Sequence, residues 1–464
     1  MIGAELGRFG DKRLARVGGT LLAAMQRKRT FCVHRLAKDR NQAIQFGRFL
    51  ANPAVTSNEM LASTGRLTNQ RAAGRHVLAI MDTTELDFPT HEASKHGFGN
   101  CGNGTHPGLF LHPILAVDAD QGGVIGLLDC LVVNRTEGKV TNHKQRGADD
   151  KESRRWLHGA ELAADGLPDA AMITAVGDRE SDIYDLFARR PANVHLLCRS
   201  AQARAVTTGG LLPAYCAALP EQARDTLDVP AKGKQPARQA TVALRFGAVS
   251  LKHPSGRRKV AGAETTDQPK TIDLWVIDVQ EVDPPNKVEP VPWRLLTTHR
   301  VTTLAQARQI VSWYRMRWII EQVFRSLKSH CLRIGDSQMT EAGCFTKLAV
   351  VALIAAVRAM QLVLARDGGS GQPISDATEP PDIPALRELN ASLEGRTAKL
   401  KNPHDERLLA WYAWIVARLG GWSGYTSRGY KPPGPKTMHH GLLLIEPILL
   451  GWRLANHSAD VRLR

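Results

Sequence analysis

The sequence predicts an α/β protein. A strand-rich core runs from about residue 76 to 345, a β segment near 201–290 is inserted into it, and helical regions flank it at 1–75 and 346–464. Three observations carry this expectation. Apolar residues recur at helical spacing at both ends of the chain. Between them, apolar runs of strand length are separated by Gly-rich turns and by two short helical patterns. Within the core, basic strands punctuated by Pro and Gly interrupt the succession.

Composition narrows the partners. The 464 residues hold 61 Lys and Arg against 45 Asp and Glu, a net charge of +16 and a pI near 9.7. That balance favours a polyanion such as nucleic acid, with an anionic membrane surface as the competing reading. A membrane span is not expected, because no stretch of ~18 apolar residues is free of charge. The nearest, LAVVALIAAVRAMQLVLA, is interrupted by Arg358 and reads as a buried helix. MIGAELGRFGDKR lacks the apolar stretch of a secretory signal. The seven Cys are scattered, with no C-x-x-C, which argues against a disulfide framework and fits a reducing cytoplasm.

Residues 1–50 carry 11 Lys and Arg against 3 Asp and Glu, half of the chain's net charge. GDKRLARVGGTLLAAMQRKR reads as a helix, with Leu14, Val17, Leu21 and Leu22 on an apolar face beside Arg13, Arg16, Arg27 and Lys28. It suits a small nucleic-acid-binding region or a solvated basic surface. HVLAIMDTTELDF is an apolar run that breaks at Asp82. LFLHPILAVD (109–118) and GVIGLLDCLVV (123–133) complete a meander. NRTEGKVTNHKQRGADD is a polar, basic loop. KESRRWLHGAELAADGL (151–167) is a helix, MITAVGDR a strand, SDIYDLFARR a helix with Ser181 as its cap, and VHLLCRS (194–200) a strand. Strand-strand-strand-helix-strand-helix-strand is the order of an RNase H-like core. In that fold Asp82 lies on the first strand and Asp178 at the end of the fourth, beside it. WRLLTTHR (293–300) and a helix from near Thr303 re-enter the core. Residues 345–366 form an apolar helix, 367–386 a Gly/Pro-rich linker or mobile loop, and ERLLAWYAWIVARLGGW a helix ended by Gly420 and Gly421.

The stretch YRMRWIIEQVFRSLK, 314–328, concentrates the chemistry. On one helix, Tyr314, Arg317, Glu321 and Lys328 fall at about 0°, 300°, 340° and 320°, with Arg325 at about 20°, while Ile320, Val323 and Leu327 form a separate apolar stripe. By itself this could be a solvated face with an Arg317–Glu321 pair contributing ~0.3 kcal/mol or less.

The pattern Y-x2-R-x3-E-x6-K, together with VLAIMDTTELDF and ITAVGDRESDIYDLF in that order, resembles the insertion-sequence-four family of DDE transposases, the Tn-five-transposase-like branch. The resemblance extends from GDKRLARV to ARLGGW. It implies a catalytic triad of Asp82, Asp178 and Glu321 holding two Mg2+ ions, with Mn2+ as a substitute. It implies DNA contacts from Tyr314, Arg317, Lys328 and Arg199, and an aromatic platform for a flipped-out base at Trp293; Arg325, on the same helix face, adds a phosphate contact on spacing alone. The remaining expectations are a helical DNA-end-binding region at 1–75, a C-terminal region that forms a homodimer, and double-stranded DNA, both element ends and target, as partner.

The residue types suit that chemistry. Phosphoryl transfer on DNA needs charge neutralised on the entering and leaving oxygens, which two divalent cations ~3.5–4 Å apart provide, and hard cations take carboxylate oxygens. Other readings stay open residue by residue: an Asx-type bond from Asp82 to Thr84, an Arg179 pair or helix cap for Asp178, a core role for Trp293 and a solvated charge for Arg199. Cys101, His106 and His112 lack a second pair at zinc spacing. The function expected is cut-and-paste transposition in a bacterial, nucleoid-associated setting. The alternatives are a catalytically degenerate or inhibitory DNA-binding copy, and a metal-dependent nuclease without strand transfer.

Overall fold

The structure, a computed structural model, describes residues 6–28, 30–88, 95–101, 106–135, 153–229, 236–254, 268–286, 288–330, 332, 334, 337–377, 382–424 and 432–456. Most of the basic loop expected at 134–150 lies outside the described residues.

Four helices open the chain: α1 (Lys12–Lys28), α2 (Val33–Leu36), α3 (Arg40–Ala51) and α4 (Ser57–Ala72). Asp39 caps α3 by accepting the Gln42 N–H at 2.8 Å, and Thr56 caps α4 by accepting that of Glu59 at 3.1 Å. Leu21, Leu22 and Met25 of α1 are buried, while Arg8, Lys12, Arg13, Arg16, Arg35 and Arg40 are exposed. The predicted apolar and basic faces are thus both present. Gly18 is where α1 meets α3, since a Cβ there would lie 2.9 Å from the Phe49 ring.

Strands follow: β1 (His76–Met81), β2 (Thr84–Asp87), β3 (Gly99–Cys101), β4 (His106–Asp118) and β5 (Val124–Val133). Then come α5 (Arg154–Gly166), β6 (Met172–Gly177), α6 (Tyr184–Arg189), β7 (Val194–Arg199), α7 (Leu212–Ala218), β8 (Ala223–Val229), β9 (Arg238–Lys252), β10 (Thr271–Glu281) and β11 (Pro292–Thr297). The chain ends in helices α8 (Leu304–Met316), α9 (Trp318–Arg325), α10 (Ala342–Ala365), α11 (Ile383–Leu393), α12 (Leu409–Leu419) and α13 (Pro435–Asn456). The succession β1, β4, β5, α5, β6, α6, β7 is the expected RNase H-like order, interrupted by an inserted β segment and flanked by helical regions.

The chain packs as two compact units. One comprises Met1–Arg75, Thr83–Lys139 and Ile319–Arg464, and the other His76–Asp82 and Val140–Trp318.

In the first unit, β4 pairs antiparallel with β2, β3 and β5. The β4–β5 turn is an Asx turn: Asp118 Oδ1 accepts the N–H groups of Asp120 and Gln121, both at 2.9 Å, and Gly122 takes φ +70°. Helix α10 is the core of this unit. It is long and apolar enough to cross a membrane, and nearly all of it is buried within the protein. Lys347 ties it to the end of α3, donating to the carbonyls of Leu50 and Asn52 at 2.8 and 2.9 Å. In the stretch after α10, expected as a Gly/Pro-rich linker or mobile loop, two residues are tied to the unit. Gln372 donates to Val124 O at 2.7 Å, and Asp376, almost fully buried, accepts a two-pronged pair from Arg75 at 2.9 and 3.1 Å. A buried carboxylate with a bidentate guanidinium fixes a segment that Gly and Pro alone would leave loose. Helix α12 ends at Gly420, with Gly421 at φ +89°, as expected.

In the second unit, the strand order is β1-β6-β7-β11-β10-β9-β8. Strands β1, β6 and β7 run parallel, and the rest join antiparallel. The inserted segment therefore extends this sheet rather than forming a separate layer. It also contains α7, which its Pro/Gly punctuation concealed.

Candidate active site

Two adjacent parallel strands set up the site. Val77 to Met81 of β1 and Ile173 to Gly177 of β6 are buried on both faces, and this continuous apolar character makes them central parallel strands. Their register pairs His76 with Met172 and Ile80 with Val176. Two residues further on, in the same register, stand Asp82 and Asp178, at the carboxyl ends of the strands where open α/β sheets place their ligands.

The turn after Asp178 is tightly held. A Cβ on Gly177 would lie 2.4 Å from Ser181 Oγ and 2.7 Å from the Trp156 ring, so only glycine fits. Ser181 does not cap α6, whose N-cap position is Ile183. Its hydroxyl instead donates back to Asp178 O at 2.6 Å, closing a short 3-10 turn. Next to it, Asp182 is buried and accepts from Ala201 N at 2.8 Å, Gln202 N at 2.9 Å and Arg204 Nε at 2.8 Å. This buttress was not visible in the sequence, because its partners share no motif with Asp178.

Helix α8 brings the aromatic and cationic partners. Thr303 starts it with a capping box closed by Gln306. At its far end Tyr314, 4% exposed, donates its hydroxyl proton to Asp178 Oδ1 at 2.9 Å. Burial, and then the Asp178 charge, push the Tyr314 hydroxyl well above the usual phenol range. Arg317, 9% exposed, donates from Nη1 to Asp82 Oδ2 at 3.2 Å and lies 3.7 Å from Asp178 Oδ2 through Nη2. One guanidinium thus spans both carboxylates. The Trp293 ring meets Tyr314 edge-on, with centroids 5.4 Å apart. Arg199 ends β7, donates to Pro292 O at 3.0 Å and acts electrostatically on Tyr314. Asp82, Asp178, Tyr314, Arg317, Trp293 and Arg199 are therefore neighbours or near-neighbours within one unit.

The expected single helix over 314–328 is interrupted. Arg317 keeps helical angles, but its N–H bonds back to Tyr314 O, a tighter turn that separates α8 from α9. From Ser326 to His330 the backbone widens into a π-turn, so the ~100° spacing does not carry through to Lys328. The apolar stripe of Ile320, Val323 and Leu327 is fully buried, as expected. Glu321, half-buried, and Arg325, exposed, lie on α9 and belong to the first unit. Lys328, in the same unit, lies close enough to Asp87 and Glu85 to feel their charge. Loss of hydration lowers its pKa, and the two acids act in the opposite sense.

Residues 214–358 match a family model described as the transposase DDE domain. The match supports a DDE transposase. The matched stretch contains Trp293, Tyr314, Arg317, Glu321, Arg325 and Lys328, while Asp82, Asp178 and Arg199 lie before it. Transposases of this type generally use divalent metals. The Asp82–Asp178 pair fits such an ion: it offers hard oxygen donors, with 25% and 31% of the side chains exposed, and already draws a cationic group between them. Among the described residues no three His, Cys, Asp or Glu side chains gather into a metal-binding group.

Proposed function

We propose that the chain is a cut-and-paste DNA transposase of the insertion-sequence-four kind. It binds the terminal inverted repeats of its element and hydrolyses one strand to free a 3′-hydroxyl. That hydroxyl then attacks the opposite strand, forming a hairpin and releasing the flanking DNA with a 3′-hydroxyl; a second water opens the hairpin and restores the 3′-hydroxyl, which finally joins target DNA by displacing a target 3′-oxygen. Asp82, Asp178 and Glu321 are the carboxylates that hold two Mg2+ ions, with Mn2+ as a substitute. When bound, the ions neutralise charge on the entering and leaving oxygens. The observation that carries this reading is the pair of carboxylates at adjacent strand ends, joined by Arg317.

The chain's other groups act on DNA. Arg317 and Arg199 offer planar, two-pronged donors to phosphate, and Arg325 and Lys328 add positive charge. Tyr314 donates a hydrogen bond, and Trp293 offers an aromatic surface for an unstacked base. The exposed basic surface of residues 1–75 grips the element end. The chain works as a homodimer in the bacterial cytoplasm, at the nucleoid. An exposed apolar face on α13 supports the dimer.

The test is cleavage of labelled DNA carrying the inverted repeat that flanks the gene, with Mg2+ or with EDTA. Nicking at the repeat boundary in Mg2+ alone, followed by a slower hairpin, is expected. Glu321→Ala keeps end binding in a gel shift and loses nicking; a Glu321→Ala protein that still nicks removes Glu321 from the triad.

A further inference from the structure

We propose that Arg317 is the resident counter-cation of the Asp82–Asp178 pair, and that a divalent cation binds there only by displacing it. The inference rests on the transposase reading in taking the pair as a metal site.

Both carboxylates lie against Arg317, and Asp178 also against Tyr314. Arg317 engages Asp82 Oδ2 at 3.2 Å and Asp178 Oδ2 at 3.7 Å, and Tyr314 donates to Asp178 Oδ1 at 2.9 Å. Two carboxylates this close repel unless a positive charge lies between them. The guanidinium supplies that charge, and its fork gives one nitrogen to each acid. A guanidinium does not release its proton in a protein, so its charge leaves the pair only if the side chain moves. The site is open to a cation only in the fraction of molecules in which Arg317 has moved away, and apparent affinity falls by that fraction. Arg317 sits at the residue where α8 gives way to α9.

The sign of the effect separates this role from ordinary support. A residue that only props up the acids weakens metal binding when removed, whereas a competitor strengthens it. Mn2+ is titrated into the DNA-free full chain, and free Mn2+ is read by electron paramagnetic resonance. Arg317→Gln is expected to bind Mn2+ at least tenfold more tightly than the wild type. Adding Asp178→Asn to Arg317→Gln abolishes the gain. Arg317→Lys keeps the charge but cannot bridge both acids, and falls between the two. It also serves if Arg317→Gln fails to fold, since a gain over the wild type is expected there too. Equal or weaker binding after removal of Arg317, with a site that still depends on Asp178, overturns the competition and leaves the metal reading standing. Absence of Asp178-dependent Mn2+ binding in every variant overturns the metal reading and the competition with it.

Discussion

Tyr314 gives its hydroxyl proton to Asp178, 2.9 Å away, from a position almost wholly enclosed by protein. The phenol therefore positions one acid of the candidate site, and its ring edge keeps Trp293 in place. Tyr314→Phe removes only the donor. We expect a loss of about 1–2 kcal/mol in urea unfolding, since hydrogen bonds to a charged group are the stronger ones. Nicking slows by about tenfold, the equivalent of 1.4 kcal/mol in the barrier. Unchanged unfolding and unchanged nicking remove Tyr314 from the site.

Asp182 and Arg204 test the turn behind Asp178. Their side chains are 0% and 8% exposed. Arg204→Ala leaves a buried carboxylate with the Ala201 and Gln202 N–H groups and the Ser200 hydroxyl as donors but no cation, and breaking such a pair costs about 3–5 kcal/mol. A drop of that size in urea unfolding is expected. Replacing both partners with apolar residues of similar volume recovers part of it. If Arg204→Ala unfolds like the wild type, the pair does not secure the turn.

The legible part of the fold is the part with local causes. The N-terminal helices show their apolar spacing and cap residues. Strand β1 stops at the polar Asp82, and Gly420 and Gly421 mark the end of α12. The acid pair was legible for a related reason: each Asp follows an apolar strand, and the strand order makes those strands neighbours. What stayed hidden depends on contacts between distant residues. Asp376 looks like linker until Arg75 reaches it. The break at Arg317 follows no Pro or Gly, and the widened turn at 326–330 has no sequence marker. The extension of the core sheet by β8, β9 and β10 is set by the β10–β11 ladder, which no composition reveals.

A histidine cluster makes the second unit sensitive to acid. Thr174 Oγ1 lies 2.8 Å from His76 Nε2 and 2.7 Å from His299 Nε2, and His195 stacks on His299 at 4.0 Å. Burial, then His195 and His76, hold His299 down to about 3, while burial and Arg190 lower His195. Trp313 packs on the same rings, and Thr298 hydrogen-bonds His195. A histidine with a depressed folded pKa keeps its full contribution above the unfolded value near 6.5 and loses it as pH falls toward 3. Stability therefore rises with pH in that window, by at most about 1.4 kcal/mol per pH unit for each proton. Urea unfolding at pH 5 and pH 7 reads the slope, and His299→Gln flattens it. An identical slope in the variant assigns the acid sensitivity elsewhere.

The last helix tests the dimer. Among the described residues, eight large apolar side chains are exposed, and four of them, Leu444, Ile448, Leu450 and Leu454, lie on α13. Leu444 and Ile448 are one turn apart, as are Leu450 and Leu454, so each pair forms a short ridge along the helix. Clustering of this kind marks an association surface, whereas scattered apolar residues do not. Leu450 and Leu454 are each 57% exposed, so changing them leaves the core intact. Leu450→Glu with Leu454→Glu is expected to leave thermal unfolding of the protomer within about 0.5 kcal/mol and to halve the mass measured by light scattering. Two charges facing their copies across a twofold contact repel and must be dehydrated, which an apolar interface does not tolerate. If the double variant keeps the wild-type mass, the exposed side chains of α13 do not join two copies of the chain.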